Sequence, residues 1–403
     1  MIAALFALTY ACVPLKADGT DGHTLPVPPP LNAWESDEVR HATDMRVDSE
    51  LGLKDSREVA KELTIVDDPV LQARVDRIGH ELAAIADKTR VVATYGDRRL
   101  NPFDYSFRIV LEKDKKHLDE VNAFSVRGGY IYVFKGLLDF CESDDELAGV
   151  LGHEIAHAAF RHVAFSQQVA SKLNYLQLPL ILASILSGGA AGAMGAISVG
   201  GTASTAIQNG WGVKAEEAAD YGGFQYLMRT HYNPTGMLTF MERLAWLERK
   251  ALVPTMLGIY RTHPPSEERA KSLTNYMKLA GVPIQRSRVA HSFRAEARLE
   301  TDDKVPLTFG DHALVQMAGS DARARAESAA VKLNDFFDSV PEPFEAQVGD
   351  NGTIVSAGHR TMVALTAADA AAAGKTLPEL QAETLKRIRA SLLTIGYRVW
   401  DAR

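Results

Sequence analysis

Apolar residues recur at helical spacing through Leu147, Val150, Leu151, Ile155, Ala158 and Ala159, which predicts a helix with one face turned to a core. Its start is marked by Ser143-Asp144-Asp145-Glu146. In this capping-box pattern Ser143 is the N-cap, and the acidic first turn suits the positive end of the helix dipole. Upstream, Ser49–Ala86 reads as two amphipathic helices broken near Asp67-Asp68-Pro69, and Tyr105–Leu111 alternates as a strand. Tyr130–Phe134 reads as a second strand, leading through Gly136 to a short helix. The pattern to about Pro283 is therefore mostly helical with a small sheet, an α+β arrangement, and a domain over 35–290 is expected. After Pro283 the character changes. Ala318–Ser339 reads as a helix, and Phe344–Val348, Thr353–Ala357 and Arg360–Leu365 read as short strands with turns at Asp350-Asn351-Gly352 and Gly358-His359. Leu377–Leu393 is a final helix. A small C-terminal α/β domain over 300–403 is expected, without a catalytic constellation and of no assignable role.

Composition narrows the class without naming it. The 403 residues, 46% of them hydrophobic, suffice for two or three packed domains. A net charge of −7 with no basic block gives no electrostatic footprint for nucleic acid. Two cysteines, Cys12 and Cys141, exclude a disulfide framework, and neither has a partner at metal-ligand spacing. Residues 1–12 are apolar and uncharged and end at Ala11-Cys12, and a Pro- and Gly-rich linker over 13–34 follows. That resembles the end of a bacterial lipoprotein signal, so export to the cell envelope is expected, on the periplasmic side, with Cys12 a candidate lipid anchor. Residues 173–213 carry no charge and are rich in Ala, Gly, Leu and Ile. They are long enough for a membrane span, but Pro179 and the glycines of 188–195 make a poor isolated helix.

The chemistry concentrates in His153-Glu154-Ile155-Ala156-His157. Four residues apart on a helix, the two imidazoles can hold one metal ion. Glu154 lies roughly 100° round from His153 and can reach a water on that metal without being a ligand. Zinc would bring the pKa of such a water to roughly 7. A catalytic zinc site needs a third protein ligand, and Glu216-Glu217-Ala218-Ala219-Asp220 offers one. At helical spacing Glu216 could bind the metal while Asp220 accepts a hydrogen bond from the second nitrogen of a ligand histidine. A plain solvated helix face is the other reading of these acids, against which the small Ala218-Ala219 pair argues for close packing. His162, five residues after His157 and so roughly 140° round a continuing helix, cannot share the metal and is expected on the outer face.

Asn122-Ala123-Phe124, Gly128-Gly129-Tyr130-Ile131-Tyr132-Val133, Gly136-Leu137-Leu138, the HExxH segment and the ExxAD segment come in an order and spacing that resemble metallopeptidase family 48. Thr262-His263-Pro264-Pro265 with Arg269 is similar to a further segment of that family. The resemblance runs from about Asp48 to about Pro283 and is nearest the BepA-like periplasmic or lipoprotein branch. It implies a mostly helical gluzincin-type domain with its small sheet at the cleft, and one Zn2+ per chain held by His153, His157 and Glu216. Glu154 would be the general base and Asp220 would stand behind the ligands. Asn122, Ala123 and Phe124 would belong to an edge strand along which an extended peptide pairs. His263 is a candidate regulatory or fourth ligand, beside the reading of a loop histidine that packs on the catalytic helix. The implied activity is that of a zinc metalloendopeptidase acting on extended or misfolded envelope proteins. A zinc-stabilised chaperone or assembly factor with a latched site is the alternative. Residues 173–213 would plug or cover the cleft rather than span a membrane, with contact to a membrane surface as a third reading.

Overall fold

Asp37 accepts a hydrogen bond from the Arg40 amide and opens helix α1 (Glu38–Glu62), which begins well before the predicted Ser49. The computed structural model describes residues 28–113, 120–166, 201–250, 266–298, 301 and 303–398. Cys12, His263 and residues 173–200, for which expectations were stated, lie outside these.

The predicted break near Asp67-Asp68-Pro69 is present and also holds a short strand, β1 (Leu63–Ile65). Asp68 caps the Val70 and Leu71 amides, and Pro69 sits in the first turn of helix α2 (Pro69–Ala86), where its missing N–H costs nothing. Strands β2 (Ser106–Glu112), β3 (Ala123–Val126) and β4 (Tyr130–Phe134) complete a four-stranded sheet in the order β1-β2-β4-β3. Strands β2 and β4 run parallel, while β3 turns back antiparallel on β4 through Gly128 and Gly129, both with positive φ. Only glycine adopts that turn without strain. The sheet therefore ends in an edge strand, β3, and that edge lies beside the helix that follows.

After the short helix α3 (Lys135–Phe140) comes α4 (Asp144–Ala159), which carries His153, Glu154 and His157. Ser143 accepts from the Glu146 amide as its pattern predicts, a cap worth about 1 kcal/mol. Glu146 does not close the box on Ser143. Its carboxylate takes the Glu142 amide, the Thr239 hydroxyl and the Arg243 guanidinium instead, and burial pushes its carboxyl up to about 7. Nearly every residue of α4 from Glu146 to Ala159 is buried, so α4 is the central helix of the first core rather than a surface helix with one apolar stripe.

Two further helices close round it, α5 (Gly201–Leu227) and α6 (Thr235–Lys250), and α7 (Ser266–Leu279) packs on both. Their approach depends on missing side chains. A Cβ on Gly223 of α5 would lie 2.9 Å from the Gly152 carbonyl carbon and the His153 nitrogen of α4, and one on Gly149 would lie 2.6 Å from Met237 Cα of α6. Backbone against backbone at Gly152–Gly223 brings the ExxAD segment of α5 within reach of the histidines. Among the described residues no helix is long and apolar enough to cross a membrane.

A second core takes in residues from Ala290 to Ile395. It is reached through the short helix α8 (Arg286–Val289). Here Arg286 pairs with Glu242 of α6 at 2.6 and 2.8 Å, and Ser287 donates its amide and hydroxyl to Asp338. Strands β5 (Ala295–Ala297), β6 (Lys304–Phe309) and β7 (His312–Ala318) form one sheet, which the hydrophobic pattern did not predict. Helix α9 (Ala322–Asp338) starts later than the predicted Ala318, because β7 runs to Ala318 and Gly319 turns the chain at φ 101°. Strands β8 (Ala346–Val348), β9 (Thr353–Ser356) and β10 (Thr361–Ala364) form a second sheet. A turn of 3-10 helix at Pro343–Glu345 takes up the start of the strand predicted from Phe344. Helices α10 (Ala367–Ala372) and α11 (Leu377–Arg398) finish the chain.

Candidate metal centre

His153 and His157 stack one turn apart on α4, with their Nε2 atoms 3.0 Å from each other. Glu216 of α5 meets both, Oε2 at 3.2 Å from His153 Nε2 and Oε1 at 3.2 Å from His157 Nε2. One ligand atom from each residue falls within 4.8 Å of the others, and no second cluster of this kind occurs among the described residues. Three metal-ligating atoms that converge on one point suit a cation between them. Around zinc, with bonds of roughly 2.0–2.1 Å, the edges of a tetrahedron are about 3.3 Å, close to the 3.0–3.2 Å found here. Two imidazoles and one carboxylate therefore fit a zinc ion. Glu154, beside His153 and buried, is not one of the three converging residues.

Behind the three converging side chains stands a charged layer. Asp220 Oδ1 lies 2.8 Å from His153 Nδ1, and Arg269 of α7 clamps the same carboxylate through Nε at 2.8 Å and Nη2 at 2.7 Å. Arg269 Nη1 also reaches Glu216 at 3.2 Å. Burial by itself would raise the Asp220 carboxyl, but the Arg269 guanidinium and the His153 ring hold it down at about 2. Burial and Arg269 push the His153 ring the other way, yet Glu216 and Asp220 prevail and raise it to about 9. Burial lowers the His157 ring. At neutral pH the metal-free centre thus holds its proton on His153. Zinc binding must expel about one proton, so its apparent affinity is expected to rise about tenfold per pH unit between about pH 6 and 8. Competition against a chelator of known protonation measures this. A flat profile would mean that His153 carries no proton to expel in the metal-free centre.

His162 departs from its expectation. It is buried, its Nδ1 is 3.0 Å from His157 Nδ1, and its Nε2 is 3.3 Å from the Tyr95 carbonyl oxygen. The outer-face assignment assumed that α4 continues past Ala159. The chain leaves the helix at Phe160-Arg161, where Arg161 takes φ 54°, and His162 swings back behind the site. Burial drives its ring well below the ordinary value and keeps it neutral.

The edge strand meets the same face. The Phe134 amide donates to the Asn122 carbonyl at 2.9 Å, and Ala123 and Phe124 pair with Val133 and Tyr132 of β4. Phe124 stacks on Tyr132 with ring centres 5.1 Å apart. Beyond Phe124, Ser125–Gly128 line a small cleft together with His157, Val163 and Ala164. Of the three converging side chains His157 is the most open, at 12% exposure against 4% for His153 and 5% for Glu216, so the centre faces this cleft. Arg269 was noticed in the sequence only as part of a motif. Its place against Asp220 and Glu216 had no local signal.

The family model described as Peptidase family M48 matches residues 72–277, and one described as a domain of unknown function, DUF8459, matches residues 306–394. Among curated proteins, the beta-barrel assembly-enhancing protease of Yersinia pestis is 29% identical over 241 residues, 58% of this chain and 46% of that protein. Metalloprotease LoiP of Escherichia coli is 27% identical over 197 residues, 49% of this chain and 72% of LoiP. The mitochondrial metalloendopeptidase OMA1 of Arabidopsis thaliana is 35% identical over 154 residues, 38% of this chain and 29% of that protein. The chain spans less than half the length of the assembly-enhancing proteases it matches.

Proposed function

The chain belongs to peptidase family M48, and from that premise we propose that it is a zinc-dependent endopeptidase that cuts extended or misfolded protein segments in a bacterial cell envelope. The convergence of His153, His157 and Glu216 on one point, with Glu154 beside it, carries this reading. Zinc held there would supply Lewis acidity, polarising a peptide carbonyl and making a water acidic enough to attack it near neutral pH. Glu154 takes the proton from that water and returns it to the leaving amine nitrogen. Asp220 keeps the second nitrogen of His153 engaged and so orients the ring. An extended substrate adds to β3, the edge strand of the sheet among the described residues, at Ala123 and Phe124 by backbone hydrogen bonds. It then passes its side chains over the His157 cleft.

Backbone pairing reads no side chains, which suits a protease for unfolded chains more than one for a fixed sequence. The names of the bacterial relatives, which concern β-barrel assembly and metalloproteolysis, support the envelope as its place of action. The unit over 35–290 is assigned the catalysis, and the module over 300–403 is assigned none. The test is cleavage of casein by the zinc-loaded protein. Activity that disappears with a chelator and returns with about one zinc per chain is the expected result. A protein that holds zinc and leaves casein intact would sink the endopeptidase reading in favour of a zinc-stabilised binding module.

A further inference from the structure

The contact between His162 and His157 has a direction. A carbonyl oxygen only accepts, so the ring nitrogen facing Tyr95, His162 Nε2, carries the hydrogen. A neutral imidazole has one N–H, which makes His162 Nδ1 an acceptor and obliges His157 Nδ1 to donate to it across 3.0 Å. The remaining nitrogen of His157, Nε2, then has a lone pair, and it is this atom that faces His153 and Glu216. We propose that His162 is a positioning residue that fixes the tautomer and ring orientation of His157 for metal binding, an assignment that rests on the metallopeptidase reading above.

The surroundings are built for this placement. Arg161, in the left-handed conformation that reverses the chain, is pinned through Nε to Asp48 at 2.6 Å and through Nη1 to Asp97 at 2.9 Å, all three buried. Such a backbone conformation is strained for a side chain of this kind, and two buried ion pairs hold it in place. Asn101 donates to the Ala159 carbonyl at 2.7 Å and the Asp97 amide to the Phe160 carbonyl at 2.8 Å, so the end of α4 is held as well. Gly96, at φ 91°, leaves the space that the ring uses: a Cβ there would lie 2.8 Å from His162 Cδ2 and 2.6 Å from the Phe160 oxygen. The rings of Tyr95 and Phe160 flank His162 at 5.6 and 5.5 Å. The two histidines of α4 are thus backed differently, His153 by the carboxylate of Asp220 and His157 by a neutral ring. A neutral acceptor orients His157 without adding a fourth carboxylate to a centre that already gathers Glu154, Glu216 and Asp220.

The experiment uses the full chain and reads metal binding directly. His162→Phe keeps the volume and removes the acceptor, and zinc affinity by chelator competition is expected to fall about 10- to 100-fold. In the same variant the visible absorption of the cobalt(II)-substituted protein should shift. His162→Asn, whose side-chain oxygen sits near the place of Nδ1, should recover most of the affinity and the wild-type spectrum, which a merely space-filling role would not require. Zinc bound by His162→Phe as tightly as by wild type, with an unchanged cobalt spectrum, would overturn the role while leaving the peptidase reading intact. A wild-type protein that binds no zinc would remove both. If neither variant folds, nitrogen-15 spectra of the zinc-loaded wild type decide: the expected tautomers are Nε2–H at His162 and Nδ1–H at His157, and Nδ1–H at His162 overturns the assignment.

Discussion

Glu154→Gln is expected to leave zinc content unchanged while casein cleavage falls by about 10²- to 10⁴-fold, the range that a positioned general base contributes. The two side chains have the same shape, and Glu154 is buried beside the three converging residues rather than among them, so the three donor atoms keep their places. What changes is basicity. An amide cannot take a proton from the attacking water, nor deliver one to the departing amine. The loss should therefore appear in kcat with little effect on KM, because the binding proposed along β3 would use the backbone. Zinc analysis, casein kinetics and the unfolding midpoint of both proteins provide the check. Equal cleavage by the variant would remove Glu154 from the chemistry and require another base. A fall in zinc content parallel to activity would instead make Glu154 part of the metal's coordination.

How far the chain's own letters foretell this centre depends on how local each signal is. Ser143 and the apolar spacing of Leu147 to Ala159 are short-range features, and α4 starts where they predict. The HExxH spacing is local too, and the helix brings both histidines to one face. The same reasoning failed at His162, because it extended helical geometry through Arg161. What ends the helix there is an ion-pair network with Asp48 and Asp97, over a hundred and over sixty residues upstream, and no window around His162 contains it. Arg269 is similar: its partners Asp220 and Glu216 belong to α5. The missed sheet of β5, β6 and β7 has a different cause. Strand β5 has only three residues, Pro306 interrupts the pattern of β6, and a proline inside a run demotes a strand reading. The fold tolerates Pro306 because tertiary packing of Val305, Leu307 and Phe309 into the second core outweighs the local preference.

Arg269→Met is expected to destabilise the metal-free protein by about 3–5 kcal/mol, the cost of removing one partner from a buried ion pair. Arg269 is buried, and its guanidinium is shared between Asp220 at 2.7–2.8 Å and Glu216 at 3.2 Å. Methionine fills much of the space but returns no charge. Two buried carboxylates would then face each other across His153, with Glu154 close behind in sequence. The effect on acid stability follows from the sign of the Asp220 shift. Its folded pKa, about 2, lies below the ordinary carboxylate value of roughly 3.9, so it contributes stability above that value, and the contribution is lost as pH falls through about 2. Without the guanidinium, Asp220 rises toward or past its unfolded value and the contribution shrinks, moving acid unfolding to higher pH. Zinc should separate structure from function here. A dication among Glu216, His153 and His157 replaces part of the missing positive charge, so saturating zinc is expected to raise the unfolding midpoint of the variant by more than it raises that of wild type. Urea unfolding at pH 7, with and without zinc, measures both terms. An unchanged midpoint in the metal-free variant would show that Asp220 and Glu216 do not depend on Arg269. A variant that gains less from zinc than wild type does would show that Arg269 organises the ligands rather than balancing their charge.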